Sequence, residues 1–154
     1  MTRPTLLCAD DDSSVREWYR MLFTTYGYSV IVAQDGYDAL KILCSQTVDA
    51  VLLDYEMPGL RGNEVAAEIK KRNPNLPVLI VTGCQSVVEH VRSFADAAMV
   101  KGAPIAQLLD RIESMIGRAT PKAAAARLYR QYLPLGSALA TVAVTAAIIS
   151  RTWK

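Results

Sequence analysis

The alternation of short apolar runs with amphipathic segments is the feature that most constrains how this chain can fold. Five such runs, each bounded by polar or turn residues, have the character of buried strands in a parallel sheet. They cover residues 5–9, 29–33, 50–53, 77–81 and, more weakly, 98–100. Strand and helix therefore alternate about five times, which predicts a doubly wound, five-stranded parallel α/β sheet with helices on both faces.

Two of the segments between the strands show the helical period clearly. One predicted apolar face consists of Val15, Trp18, Leu22 and Tyr26, and the other of Ile105, Leu108, Leu109, Ile112 and Ile116. Two S-x-x-E sequences, which begin at Ser14 and Ser86, have the spacing of an N-terminal capping box. They predict that helices start at these serines.

The charge distribution divides the chain after Arg118. Residues 1–118 carry 12 basic and 15 acidic side chains, whereas the remaining residues carry 5 basic and no acidic ones. A chain of 154 residues with 51% apolar content can form one well-buried domain with a few dozen residues left over. We expect a globular domain at 1–118, a basic, Ala-rich linker or helix at 119–131 and a hydrophobic helix at 132–150.

The cysteine pattern and the N-terminus indicate where the domain resides. Cys8, Cys44 and Cys84 form no CxxC pair, and their odd number argues against a disulfide framework or a zinc site. The apolar run before Asp10 is too short for the core of a secretory signal. We therefore expect the folded domain to stay in the cytoplasm.

The C-terminal stretch predicts a possible membrane anchor. The 20 residues between Arg130 and Arg151 are uncharged, and at ~1.5 Å per residue a helix of this length spans about 30 Å, the thickness of a bilayer core. More basic residues precede the stretch than follow it, which favours a domain on the cytoplasmic side. Our hypothesis is that 132–150 attaches the domain to the inner membrane. The alternative is a soluble Ala-rich helix that packs on a partner or self-associates.

Polar residues follow four of the predicted strands at their carboxyl ends. They are Asp10, Asp11 and Asp12 after the first strand, Asp54 after the third, Thr82 after the fourth and Lys101 after the fifth. In open α/β sheets the functional crevice lies at this edge. Gathered carboxylates repel one another unless a cation is present, and oxygen ligands suit Mg²⁺. Together with a hydroxyl and an ammonium group they predict phosphoryl-transfer chemistry.

Four segments at mutually consistent distances carry a family resemblance. LLCADDDSSVRE, DAVLLDYEMPGLRG, LIVTG and VKGAPIAQLLDRI resemble the motifs of the response-regulator receiver domain of two-component signalling. The resemblance spans roughly residues 5–117 and implies the flavodoxin-like receiver fold.

The resemblance also implies roles for the acidic residues. Asp54 would be the carboxylate nucleophile that accepts the phosphoryl group. Asp11 and Asp54 would bind Mg²⁺ directly, Asp10 through water, and Glu56 through its backbone carbonyl.

The same resemblance assigns the remaining site residues and the partners. Thr82 would hydrogen-bond the phosphoryl oxygen, and Lys101 would pair with the carboxylate or phosphoryl charge. The donor would be a sensor histidine kinase or a phosphotransfer protein. The protein would act as a switch and not as an enzyme, apart from its own phosphorylation and dephosphorylation, and the downstream protein target is left open.

Two positions depart from the family pattern. The family usually has proline after the lysine, but Lys101 is followed by Gly102. The family often has an aromatic residue three positions before the lysine, but that position is Ala98. We therefore expect signalling without an aromatic rotamer switch.

Two other functions compete with the switch. In a haloacid-dehalogenase-like phosphatase, Asp10 and Asp12 would form the D-x-D motif, but the DYEMPG segment would have no role and the chain has no room for a cap domain. A phosphorylation-independent scaffold is the second alternative, against which the intact acidic site argues. The residues after Arg118 show no DNA-binding motif, so no nucleic-acid partner is expected.

Overall fold

A computed structural model describes residues 3–117 of the chain. Five strands and five helices alternate along this part. They are β1 Thr5–Ala9, α1 Ser13–Thr25, β2 Ser29–Ala33, α2 Gly36–Ser45, β3 Ala50–Asp54, α3 Gly62–Arg72, β4 Val78–Thr82, α4 Gln85–Val91, β5 Ala97–Val100 and α5 Ile105–Ile116. The predicted α/β alternation is confirmed, and the observed β3, β4 and β5 differ from the predicted strands by one residue at their ends.

The segments predicted at 119–131 and 132–150 lie outside the described residues, and so does the C-terminal boundary of the predicted domain. Within residues 3–117, no helix is long and apolar enough to cross a bilayer.

All five strands are parallel and lie in the order β2-β1-β3-β4-β5. The chain moves outward from β1 in one direction through β2 and in the other through β3, β4 and β5. The switch point therefore lies between the carboxyl ends of β1 and β3, where a doubly wound sheet opens a crevice. The predicted fold class is confirmed.

The core consists of two apolar layers, one on each face of the sheet. The helices α2, α3 and α4 pack on one face, and α1 and α5 pack on the other. Every residue of β3 and of β4 is buried, which explains why these strands are nearly continuous apolar runs and do not alternate with polar residues. The polar residues at their carboxyl ends are consequently buried as well.

The two capping predictions are wrong. The N-cap of α1 is Asp12, whose side chain accepts a hydrogen bond from the amide of Ser14 (2.7 Å), so Ser14 lies inside the helix. A carboxylate two residues upstream already satisfies the free amide. Ser86 likewise lies within α4, whose N-cap Cys84 makes no side-chain capping bond.

The predicted apolar face of α1 is confirmed in part, because Val15, Leu22 and Tyr26 are partly buried against the core, but the most buried residues of the helix lie beside them. Tyr19 and Phe23 are the buried residues of this helix, whereas Trp18 is 41% exposed. Tyr19 stacks on Phe23 with ring centroids 5.8 Å apart, and Phe23 meets Tyr28 edge-on at 5.9 Å. This aromatic row turns the packed face by one residue from the one predicted.

The face of α5 is mostly as predicted. Leu108, Leu109 and Ile112 are buried, and only the first residue of the helix, Ile105, is largely exposed at 42%.

Candidate functional site

The carboxyl ends of β1 and β3 bring two aspartates together in the protein interior. Asp10 follows β1 and is 1% exposed, and Asp54 is the last residue of β3 and is 4% exposed. Asp11 lies beside them with an exposed side chain. One carboxylate oxygen from each of the three residues lies within 4.8 Å of the others. The sequence prediction that these aspartates gather at one edge of the sheet is confirmed.

Lys101 faces both buried carboxylates. Its Nζ donates to Oδ2 of Asp54 (2.8 Å) and to Oδ2 of Asp10 (3.1 Å). The amide of Lys101 donates to the carbonyl oxygen of Thr82 (2.7 Å), which fixes the start of the β5-α5 loop against the end of β4. A side chain 91 residues from Asp10 in the chain is thereby placed on the acidic pair.

The loop after Asp54 holds the other oxygen of that carboxylate. The amide of Glu56 donates to Oδ1 of Asp54 (3.3 Å), and the side chain of Glu56 is exposed. The structure thus places Glu56 at the site, while its predicted carbonyl ligation stays a prediction.

Gly62 allows α3 to begin directly against this backbone. A Cβ atom at position 62 would collide with the carbonyl oxygen of Asp54. The amide of Gly62 donates to the carbonyl of Tyr55 (2.9 Å). The sequence analysis gave Gly62 no role, although it closes the quoted DAVLLDYEMPGLRG segment.

Thr82 is fully buried at the carboxyl end of β4. Asp54 pairs in register with Val81, so Thr82 extends one residue further along the neighbouring strand. Its Oγ1 accepts a hydrogen bond from the amide of Cys84 (3.2 Å). The structure brings Thr82 to the predicted edge, and its role toward a phosphoryl group stays a prediction.

Burial and charge shift the ionisation of the paired groups. Burial raises the pKa of the Asp54 carboxyl, and the nearby Asp10 charge adds to this, while the hydrogen bond from Lys101 opposes it. Burial lowers the pKa of Lys101, but its bonds to Asp54 and Asp10 outweigh that effect, so the pKa is raised overall. The pairing therefore favours the charged form of Lys101, whereas the burial of Asp54 disfavours its charged form.

The donor set is suited to a hard divalent cation. Three carboxylates cluster at this edge, and two of them, those of Asp10 and Asp54, share the ammonium group of Lys101. The cluster offers oxygen ligands only, with no histidine or cysteine among them, which is the chemistry that Mg²⁺ prefers. Asp10, Asp11 and Asp54 are the residues that could hold it.

One residue that the sequence analysis missed lies beneath this cluster. Nη1 of Arg16 donates to the carbonyl oxygens of Asp10 (2.7 Å) and Asp11 (2.9 Å). The available signal was a basic residue in the first turn of a helix that follows an acidic run.

The two departures from the family pattern have visible structural consequences. Gly102 has φ +85°, a backbone conformation that proline cannot adopt. Ala98 is buried on β5 and borders an open depression of about 540 Å³ between α4, β5 and α5. This depression is lined mainly by polar residues of α5 and by Gln85.

A doubly wound sheet that gathers two buried aspartates, a threonine and a lysine at its carboxyl edge defines a receiver domain. The family model described as "Response regulator receiver domain" matches residues 6–113, and the chain belongs to this family. The predicted family is confirmed.

Several known proteins resemble the chain. Response regulator MprA of Mycolicibacterium vanbaalenii is 40% identical over 119 residues, which are 75% of this chain and 52% of that protein. The chain therefore spans about half the length of this curated relative.

Solved structures resemble it over nearly their whole length. Response regulator TrrA of Thermotoga maritima, in complex with Mg²⁺-BeF, is 30% identical with a TM-score of 0.70 and covers 73% of this chain and 98% of its own. A response regulator from Chloroflexus aurantiacus is 26% identical with a TM-score of 0.72 and covers 76% of this chain and 100% of its own.

Proposed function

We propose that this protein is a phosphorylation-controlled signalling switch in which Asp54 accepts a phosphoryl group in a Mg²⁺-dependent reaction. The observation that carries the proposal is the position of Asp54. It is a buried carboxylate with Lys101 at 2.8 Å and two further aspartates close enough to share a cation with it. No structural need of the fold explains why three carboxylates converge at this point.

The residues of the site divide the work of the transfer. An oxygen of Asp54 attacks phosphorus, and the new O–P bond forms while the bond from phosphorus to the donor breaks, with the electron pair leaving on the donor. Lys101 balances negative charge on Asp54 and then on the phosphoryl group. The Thr82 hydroxyl donates to a phosphoryl oxygen. Burial excludes bulk water from the carboxylate, which strengthens each of these interactions.

The metal would be held by Asp11 and Asp54 directly, by Asp10 through water and by the carbonyl of Glu56. Bound there, Mg²⁺ offsets the charge of the carboxylates and of the incoming phosphoryl group. The complex of the related TrrA with Mg²⁺-BeF supports this assignment, because Mg²⁺ is the metal found with that relative.

Membership of the receiver family supports a sensor histidine kinase or a phosphotransfer protein as the donor. We infer that the protein carries the phosphoryl group as a signal and does not turn over substrates as an enzyme. Its downstream target is a protein that distinguishes the two phosphorylation states.

The position of Asp12 argues against the phosphatase alternative. In a D-x-D mechanism Asp10 and Asp12 would both face the substrate, but Asp12 caps α1 through the amide of Ser14 and lies outside the carboxylate cluster. The scaffold alternative gains nothing from the structure, because a scaffold does not need two buried carboxylates that share one lysine.

Phosphorylation by a small donor tests the proposal. Wild-type protein incubated with Mg²⁺ and acetyl phosphate should gain one phosphoryl group by intact-mass measurement, and Asp54→Asn should gain none. Asp96→Asn is the matched control, because Asp96 precedes β5 at the opposite end of the sheet, and it should label like wild type. Equal labelling of Asp54→Asn would refute the assignment, and steady release of inorganic phosphate from phosphate esters would favour the phosphatase.

A further inference from the structure

One side chain, that of Arg16, is hydrogen-bonded to the backbone of the acidic loop between β1 and α1. Arg16 donates through Nη1 to the carbonyl oxygens of Asp10 (2.7 Å) and Asp11 (2.9 Å), and its own amide donates to the carbonyl of Asp12 (3.0 Å). One residue therefore binds three consecutive carbonyl oxygens. These belong to the residues whose carboxylates form, or directly border, the cation cluster.

Arg16 lies near the N-terminus of α1, where a positive charge is unfavourable unless other interactions compensate for it. It is the fourth residue of the helix, and the first turn contains no acidic side chain. A cation at this end opposes the helix dipole, which favours negative charge at the N-terminus. The half-buried side chain turns back along the loop, and its two short bonds to main-chain oxygens compensate for that penalty.

A further hydrogen bond lies within the loop itself. The amide of Asp12 donates to Oδ1 of Asp10 (3.0 Å), which orients the carboxylate that also meets Lys101 through Oδ2. The carbonyls are thus bonded to Arg16 on one side of the loop and the Asp10 carboxylate to the Asp12 amide on the other, and these bonds restrain the loop. Asp11 extends from this restrained backbone and places a carboxylate oxygen within 4.8 Å of those of Asp10 and Asp54.

We propose that Arg16 is a positioning residue for the metal site, which sets the affinity and selectivity for Mg²⁺ by fixing the backbone of Asp10 and Asp11. This inference rests on the proposed Mg²⁺ function of the cluster. Mg²⁺ requires a nearly ideal octahedral arrangement at short distances, whereas Ca²⁺ tolerates irregular ones. A looser loop therefore weakens Mg²⁺ binding more than Ca²⁺ binding.

The test compares Arg16→Lys with Arg20→Lys. Both changes keep the charge and lie on the same helix, but the ion pair of Arg20 is with the exposed Glu17 at 3.6 Å. Lysine at position 16 has a shorter reach, so it cannot donate to both carbonyls as Arg16 does. By isothermal titration calorimetry, Arg16→Lys should bind Mg²⁺ about tenfold more weakly, with a smaller loss for Ca²⁺, and Arg20→Lys should match wild type.

Hydrogen exchange of the metal-free protein separates this inference from the proposed function. In Arg16→Lys the Asp12 amide should exchange faster than in wild type, while amides in the middle of β3 and β4 stay unchanged. An Asp12 amide that exchanges at the wild-type rate overturns the inference, as does wild-type Mg²⁺ affinity in Arg16→Lys. A third result separates the two proposals. If the wild type binds no Mg²⁺ but the Asp12 amide exchanges faster in Arg16→Lys than in wild type, the proposed metal function fails, while the role of Arg16 in positioning the loop stands.

Discussion

The two ends of the sheet use aspartate in opposite ways. At the amino end, Asp49 precedes β3 and exchanges two hydrogen bonds with Thr5, the first residue of β1 (2.7 and 2.8 Å). Asp96 precedes β5 and exchanges two with Val78, the first residue of β4 (2.8 and 3.0 Å). At the carboxyl end, three carboxylates instead converge within 4.8 Å of one another.

This difference is the one expected between acids that serve the fold and acids that serve the proposed function. Asp96 also pairs with Lys70, whose Nζ donates to the carbonyl of Leu76 (2.7 Å) and so joins the end of α3 to the start of β4. Each amino-end carboxylate accepts a hydrogen bond from the first amide of the neighbouring strand, Thr5 for Asp49 and Val78 for Asp96, and thereby ties two strands together. The carboxyl-end acids repel one another, so they lower the stability of the metal-free fold and favour cation binding.

The largest expected effect concerns the metal. Wild-type protein should gain about 2.7 kcal/mol of unfolding free energy at a Mg²⁺ concentration of about 100 times Kd, and Asp11→Ala should lose most of this gain. The measurement is the melting temperature with and without Mg²⁺. Asp96→Ala should keep the full gain, and an unchanged rise in Asp11→Ala would place the metal elsewhere.

The next largest effect is expected on the unfolding free energy when Asp96, at the amino end of the sheet, is replaced. Asp96→Ala leaves the amide of the buried Val78 without its acceptor and removes the partner of Lys70. It should lower the unfolding free energy by about 2 kcal/mol in urea titrations, while the phosphoryl stoichiometry on Asp54 stays at the wild-type value. Glu89→Ala, in an exposed pair with Arg92, should change stability very little. Comparable stability for the two variants would remove the distinction between the two ends.

A smaller effect of opposite sign is expected at Asp54 in the metal-free protein. Its raised pKa means that the native state binds more protons than the unfolded chain at pH values above the unfolded pKa of about 3.9. The unfolding free energy therefore falls as pH rises through the raised native pKa, and Asp54→Asn lacks this fall. The variant should therefore be more stable than metal-free wild type near neutral pH.

Urea titrations of both proteins across the acid to neutral range measure this difference. It should grow with pH in favour of Asp54→Asn and then level off. A difference that does not change with pH would show that the Asp54 carboxyl is not destabilised by its burial.

The smallest effect is expected at Ala98, which lies on β5 beside the open depression. Because this position has no ring to rotate, we expect signalling without an aromatic rotamer switch. Ala98→Tyr should leave the phosphorylation of Asp54 largely intact. Intact-mass time courses measure that phosphorylation. Loss of labelling would show that the small side chain is needed for access to the site.

The clustering of polar residues at the carboxyl end of the sheet was predictable from the sequence because it depends only on where these residues lie along the chain. Asp54 and Thr82 each end an apolar run, and parallel strands bring such ends together whatever the loops do. The amino-end ties of Asp49 and Asp96 were not predictable, because each depends on which strand lies next to it. That information appears only once the strand order is known.

The predictions of the helix caps, and of Trp18 on the packed face of α1, were wrong for a similar reason. The capping predictions at Ser14 and Ser86 relied on spacing alone, and spacing does not show that Asp12 already occupies the cap of α1. Trp18 has the right periodicity for a buried face, but the stacking of Tyr19 with Phe23 decides which side of α1 packs on the sheet. The role of Arg16 required the loop geometry.

The identity of the phosphorylated residue is the most direct test of the proposal that Asp54 accepts the phosphoryl group. Protein phosphorylated by acetyl phosphate with Mg²⁺ is reduced with borohydride, which converts an aspartyl phosphate into homoserine, and its peptides are sequenced by mass spectrometry. Homoserine is expected at position 54, the residue bonded to Lys101 at the carboxyl end of β3. Homoserine at position 10 with Asp54 unmodified would contradict the proposal and would make the D-x-D residues after β1 the reacting group.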